Sequence, residues 1–231
     1  MSLPKRLPKE IVDASSPEMR SSGIYYCHDD VDGRKGYAMI VGPEGTPYAS
    51  CPLFFSFELP ADYPFSPPAV KIVTTDSITR FHPNLYINGK VCLSILGTWS
   101  GPKWSAAMTI RTVLSSIQSL LEENPIVNEP GWEKYTLENP RAKDYCELVH
   151  HNLVSHSFRN LCRWKGGLKP AEWEYFHDIM GEGLANQLFD TLYKEICLKA
   201  VEGEKTYASV VYSMNGTTCW KELAELGATV A

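Results

Sequence analysis

The sequence predicts an α+β fold: a four-stranded antiparallel meander sheet packed against helices, with a mainly helical C-terminal extension. Three observations predict it. Four strand-like runs follow one another between residues 24 and 74 with short turns between them, and short connections between successive strands favour an antiparallel meander. One apolar stripe at helical spacing then runs from Ile110 to Leu121, the signature of a helix with one buried face. Beyond Asn139 the patterns are mostly helical. The core domain is expected over residues 1–160 and the extension over 161–231, packed on or beside the core.

Taken in order, Lys5–Ala14 reads as a short amphipathic helix, with Leu7 and Ile11 on one face and Lys5, Arg6 and Lys9 largely off it. Pro8 is tolerated only near a first turn, so the helix starts late. The strands are expected at Ile24–His28, Gly36–Val41 after an Asp32-Gly33 turn, Pro52–Leu59 and Ala69–Thr74. In the third, Leu53, Phe55, Phe57 and Leu59 alternate with Phe54, Ser56 and Glu58, the period-two mark of a half-buried strand. The segment DYPFSPP, residues 62–68, is stiffened by its prolines and presents Phe65 as a candidate anchor for a partner. The central helix is expected from Thr109 to Asn124, where Asn124-Pro125 ends it. Asn139-Pro140 reads as an N-cap with proline at the first helical position, opening a helix to about Arg163 that Gly166-Gly167 breaks. Pro170 opens another with Trp173, Phe176 and Ile179 on one side; after Gly181 and Gly183, Leu184–Leu198 is helical. TYASVVYS reads as a strand before an Asn215-Gly216 turn, and CWKELAEL as a helix.

Composition excludes several classes. A net charge of −5 gives no reason to expect a nucleic-acid partner. No apolar run is long enough to span a bilayer, and no apolar segment of signal-peptide type follows Lys5, Arg6 and Lys9. The seven cysteines are scattered without a CxxC pair, which argues against a disulfide framework or a metal site and for a reducing compartment. No GxxxxGK[ST] or GxGxxG nucleotide motif occurs.

The stretch RFHPNLYINGKVCLSIL, residues 80–96, is the candidate site. Pro83 and the Asn88-Gly89 turn punctuate it, and Cys92 lies eight residues after Asn84 on a short extended run. Taken alone, Cys92 fits a small buried hydrophobe as well as a nucleophile. His82 raises the alternative of a Cys–His hydrolase dyad.

The stretch resembles the active-site segment of ubiquitin-conjugating enzymes, His-Pro-Asn followed by Gly-x-Val/Ile-Cys-Leu-x-Ile-Leu. The Tyr-Pro-Phe-x-Pro-Pro segment and the Val-Leu-x-Ser-Ile-Gln-Ser-Leu-Leu helix also match, over roughly residues 5–160. GTWSGPKWS, NEPGWE and the long extension are most similar to the Z-type branch. The resemblance implies a UBC-like core. It implies that Cys92 accepts ubiquitin or a ubiquitin-like modifier as a thioester from an activating enzyme and passes it to a substrate lysine, with or via a ubiquitin ligase. Asn84 then stabilises the oxyanion or shapes the loop, two roles the sequence does not separate, and His82 is mainly structural. Glu129 is a candidate for orienting the incoming lysine, with a solvated loop glutamate as the alternative. Lys5, Arg6 and Lys9 are implied in docking the activating enzyme and the ligase. Phe65 and the loop Ser105, Ala106 and Ala107 are implied in ligase contact, with Ala106 where the family usually has proline. Ser94 stands where well-known members carry an aspartate. The resemblance further implies no metal and no cofactor, ATP being used only by the activating enzyme, no membrane or nucleic-acid partner, and a place in the cytoplasm and nucleus. A non-catalytic ubiquitin-binding module is the remaining alternative. The extension is expected to select the activating enzyme or substrate.

Overall fold

A computed structural model of the chain describes residues 4–168, 170, 173 and 176–230. Helices α1 (Leu7–Ala14) and α2 (Pro17–Ser21) precede strands β1 (Ile24–His28), β2 (Lys35–Val41), β3 (Pro52–Glu58) and β4 (Ala69–Ile72). After a long irregular stretch come α3 (Ile110–Gln118), α4 (Pro140–Lys165), α5 (His177–Glu202), β5 (Thr206–Ala208), β6 (Asn215–Thr217) and α6 (Trp220–Ala228). The four strands form the expected antiparallel sheet in order β1-β2-β3-β4. Tyr26, Ala38, Phe55 and Ile72 sit side by side across it in register. One continuous buried cluster takes in Leu7 of α1, Ile110 and Ile117 of α3, this sheet face, and Leu223 of α6.

The half-buried reading of β3 needs correction. Phe54, on the opposite face from Phe55, is also buried. Its ring lies 5.0 Å from Trp173 and 4.4 Å from Phe176, and Tyr37 on the same face meets Phe176 at 5.9 Å. Alternation shows which residues share a face but not whether a later segment covers the second face. The helix expected to open at Pro170 lies largely outside the described residues; before α5 only Pro170, Trp173 and Phe176 of that stretch are described.

The central helix is shorter than its apolar stripe. It begins with a capping box in which Thr109 and Thr112 serve each other, and it ends at Gln118 rather than Asn124. Ser116 Oγ donates to the Thr112 carbonyl at 2.8 Å and Ser119 Oγ to the Ser116 carbonyl at 2.8 Å. Such bonds compete with the helical ladder, and the chain turns so that Leu121 is still buried. At the start of α4, Asn139 accepts from the Arg141 N–H with Pro140 behind it, as expected. This helix runs unbroken through residue 160, the boundary expected between core and extension.

The extension packs closely. Phe158 of α4 stacks on Phe189 and Tyr193 of α5 at 5.1 and 5.9 Å. Gly227 lets α6 approach, since a Cβ there would fall 2.4 Å from the Tyr193 ring. Asn215-Gly216 is not a turn. Both residues pair in β6 with Ala208 and Tyr207 of β5, and the reversal is made by residues 209–214, where Tyr212 and Ser213 hold left-handed φ angles of 61° and 53°.

Because Trp173 fills the second face of the sheet, Trp173→Ala is expected to lower unfolding free energy by about 3–5 kcal/mol. Denaturant unfolding followed by far-UV circular dichroism and by tryptophan fluorescence checks this, and the loss should appear in a single shared transition.

Candidate active site

The segment bearing Cys92 is a loop pinned along the edge of β4. The Ile72 N–H donates to the Gly89 carbonyl at 2.9 Å, and Lys71 bridges Lys90. Gly89 turns the chain with φ 89°, where a side chain would be strained and its Cβ would lie 3.2 Å from the Ile72 carbonyl oxygen. From there the chain returns beside its own start. The Cys92 N–H donates to the Asn84 carbonyl at 2.8 Å, and Asn84 Nδ2 donates to the Cys92 carbonyl at 2.8 Å. The predicted amide and thiol residues are thus brought together, with the amide turned to the cysteine main chain. Both are buried, Cys92 at 1% exposure and Asn84 at 7%.

The residues after Cys92 supply part of the frame. Thr98 Oγ1 donates to the Val91 carbonyl at 2.7 Å and accepts the Leu93 N–H at 3.0 Å, bracketing the cysteine on both sides. Gly97 turns the chain with φ 70°, and residues 97–101 fold back until Gly101 lies against Ser94. Among the other thiols, burial pushes Cys146 up to about 12 and Cys162 to about 11, so neither offers a thiolate at neutral pH.

His82 is fully buried. Its Nδ1 accepts the Asn84 N–H at 2.9 Å, which places the proton on Nε2. Nε2 makes no hydrogen bond of regular geometry, although the Leu120 carbonyl favours its charged form. Burial dominates and, with Arg80 nearby, lowers the imidazole to about 3. A ring whose Nδ1 is occupied by the loop and which stays neutral does not serve as the base of a Cys–His dyad. As placed, the ring fastens the loop, and the hydrolase alternative lacks its base. The main chain around it is fixed by Tyr48, whose hydroxyl donates to the Phe81 carbonyl at 2.8 Å, and by Tyr145, which donates to the Arg80 carbonyl at 3.0 Å.

Two further residues were not visible as site residues in the sequence. Arg80 donates through Nε to the His82 carbonyl at 3.2 Å and through Nη2 to the Pro83 carbonyl. Its guanidinium lies between the rings of Tyr86 and Tyr212, 3.3 and 4.6 Å from their centroids. Tyr212 also donates its hydroxyl to Glu129 Oε2. Glu129 is thus engaged by the C-terminal region, and among the described residues it makes no hydrogen bond to Asn84 or Cys92. An arginine two residues before His82 was readable as a possible brace; nothing in the sequence joined residue 212 to this loop.

The predicted docking residues divide. Lys5 and Lys9 are exposed, and Phe65 is 80% exposed. Ser105 and Ala107 are exposed and Ala106 is half-buried. The two loops are joined, since Trp104 Nε1 donates to the Pro64 carbonyl at 2.8 Å. Arg6 is different. It donates to the carbonyls of Ala106 and, at 2.6 Å, Met108, and it pairs with Glu10. Buried Glu10 also accepts from Tyr63 Oη at 2.5 Å and from the Ile110 N–H at 3.2 Å. Arg6 is an internal brace for the 104–108 loop, and the Arg6/Glu10 spacing of one helical turn was its signal in the sequence.

The family profile described as "Ubiquitin-conjugating enzyme" matches residues 6–152, which include the whole Asn84–Cys92 loop. The chain belongs to the ubiquitin-conjugating enzyme family. It is 50% identical over 133 residues to human ubiquitin-conjugating enzyme E2 Z, covering 57% of this chain and 37% of that protein. It is 45% identical over 152 residues to the Danio rerio E2 Z, covering 65% of this chain and 46% of that protein. With the probable ubiquitin-conjugating enzyme protein 17 of Caenorhabditis elegans it shares 39% identity over 192 residues, 78% of this chain and 25% of that one. The chain thus spans less than half the length of these ubiquitin-conjugating relatives, and the names of the first two support the Z-type branch. Among solved structures, the E2 domain of a Toxoplasma gondii ubiquitin conjugating enzyme is 34% identical, with a TM-score of 0.48 over 64% of this chain and 95% of that one.

Two outcomes follow from this geometry. For His82, the unfolded ring titrates near 6.5 and the folded ring near 3. Below 6.5 the unfolded chain binds a proton that the folded chain refuses, so stability falls as pH drops. The slope from this group approaches about 1.4 kcal/mol per pH unit. Unfolding measured from pH 7 to 4 should show a shallower pH dependence in His82→Gln than in the unaltered chain. For the brace, Arg6→Ala is expected to cost about 1–3 kcal/mol, while Lys9→Ala stays within about 0.5 kcal/mol; thermal melts separate the two.

Proposed function

We propose that this chain is a ubiquitin-conjugating enzyme that carries ubiquitin or a ubiquitin-like modifier as a thioester on Cys92. The observation that carries the reading is the paired Asn84–Cys92 hydrogen bonding inside the segment matched to the family. The Cys92 thiolate attacks the thioester carbonyl at the modifier's C-terminus, and the activating enzyme's thiolate departs. A substrate lysine amine then attacks the new thioester, an oxyanion forms at the carbonyl, and Cys92 leaves as thiolate. In the closed loop Asn84 Nδ2 fixes the main chain; in the transfer step it turns to the oxyanion. Glu129 orients the lysine. Lys5 and Lys9 dock the activating enzyme and ligase, and Phe65 with Ser105, Ala106 and Ala107 meets the ligase. The two linked loops and the exposure of Phe65 support this assignment. The chain needs no cofactor of its own, ATP being used by the activating enzyme. It works in the cytoplasm and nucleus, which its free cysteines support.

The test mixes the protein with activating enzyme, ATP and ubiquitin, followed by a non-reducing gel. A thiol-sensitive adduct that is lost in Cys92→Ala is the expected result. Asn84→Ala should load normally and discharge to free lysine about 100- to 1000-fold more slowly, and equal loss in both steps would remove the oxyanion assignment. Ubiquitin binding without any adduct would mark a binding module instead.

A further inference from the structure

Residues 209–214 of the C-terminal region lie against both loops that matter to the site. The turn they form is internally fastened: the Ser209 N–H donates to the Met214 carbonyl at 2.7 Å, and Ser209 Oγ accepts the Val211 N–H at 3.2 Å. Left-handed backbone at two successive non-glycine residues, Tyr212 and Ser213, persists only where the surroundings impose it. The imposed turn sets Tyr212 between opposite charges. Its hydroxyl donates to Glu129 Oε2, and its ring lies on the Arg80 guanidinium whose N–H groups hold the carbonyls of His82 and Pro83. Met214 adds a second link, its sulfur accepting the Arg80 N–H at 3.1 Å. Burial and the hydrogen bond to Glu129 raise the Tyr212 phenol far above its ordinary range, so it stays a donor at any pH of interest.

We propose that Tyr212 is a positioning residue for transfer of the acyl group to lysine, its hydroxyl fixing one Glu129 oxygen so that the other receives the lysine ammonium. This rests on the conjugating reading above. In that step the ammonium gives a proton to the Glu129 carboxylate, and the freed amine bonds to the thioester carbonyl carbon. The carbon–sulfur bond then breaks with its electron pair on Cys92, and the nitrogen's second proton passes to solvent. A carboxylate without a fixed oxygen samples several rotamers, and a misplaced base loses much of its effect. The ring serves the same end by keeping Arg80 over the His82 and Pro83 carbonyls.

Single-turnover discharge of the Cys92-loaded protein tests this, with Tyr212→Phe, Glu129→Gln and the double variant compared against the unaltered chain. Phenylalanine keeps the ring on Arg80 and removes only the hydroxyl. Tyr212→Phe should load at the unaltered rate, yet discharge to free lysine about tenfold more slowly. In the Glu129→Gln background that tenfold factor should vanish. Discharge to hydroxylamine, a nucleophile already unprotonated at neutral pH, should be unchanged by Tyr212→Phe. Multiplying effects of the two substitutions, equal slowing with hydroxylamine, or unaltered lysine discharge in a chain that loads normally would each overturn the assignment while leaving the conjugating reading intact. Failure of the unaltered chain to form any Cys92 adduct would overturn both.

Discussion

The two 2.8 Å hydrogen bonds between Asn84 and Cys92 are the constraint on which the site depends. They close a loop whose ends at Asn84 and Cys92 are buried, where an unmatched amide costs about 1–3 kcal/mol. With that closure fixed, the rest of the loop has few choices. Asn84 must present its own N–H to His82, His82 must stay neutral to accept it, and the cysteine must sit with its main chain saturated on both sides by Asn84 and Thr98. The price of such order is access, since the same bonds draw Cys92 to 1% exposure. The loop that carries Cys92 is thus held along its main chain, with the cysteine buried.

The sheet explains why the C-terminal region is more than an appendage. A sheet of this kind can leave one face to solvent, but here Phe54, Tyr37, Trp173 and Phe176 build an aromatic layer on the second face. Helix α4 joins the two parts without a break, and its Phe158 stacks directly into α5. The family profile ends at residue 152, yet the buried cluster continues through Leu192 and Leu223. Physical cohesion and sequence kinship thus have different boundaries in this chain.

Where local chemistry decides, the sequence was a good guide. The Asn139-Pro140 cap and the glycine at the turn before Cys92 both follow from backbone sterics, and each stands in the structure. The errors arose where distant residues decide. Six apolar residues at helical spacing point to a helix as far as Asn124, yet it ends at Gln118 and tertiary packing buries Leu121 from the turn that follows. Arg6 reads as a surface cation because its acceptors, the carbonyls of Ala106 and Met108, lie about a hundred residues away. Asn215-Gly216 carries the composition of a turn, yet pairing with Tyr207 and Ala208 straightens it and pushes the reversal onto Tyr212 and Ser213. Of the site itself, His82, Asn84 and Cys92 were legible as neighbours, whereas the link from Tyr212 to Glu129 and Arg80 has no local signature.

That long-range link has a temporal side. The ribosome releases the Cys92 loop well before Tyr212 and Met214, which brace Arg80 beside it. Roughly 120 further residues must be made, on the order of ten seconds of synthesis. During that interval Arg80 lacks the Tyr212 ring and the Met214 sulfur that later hold it.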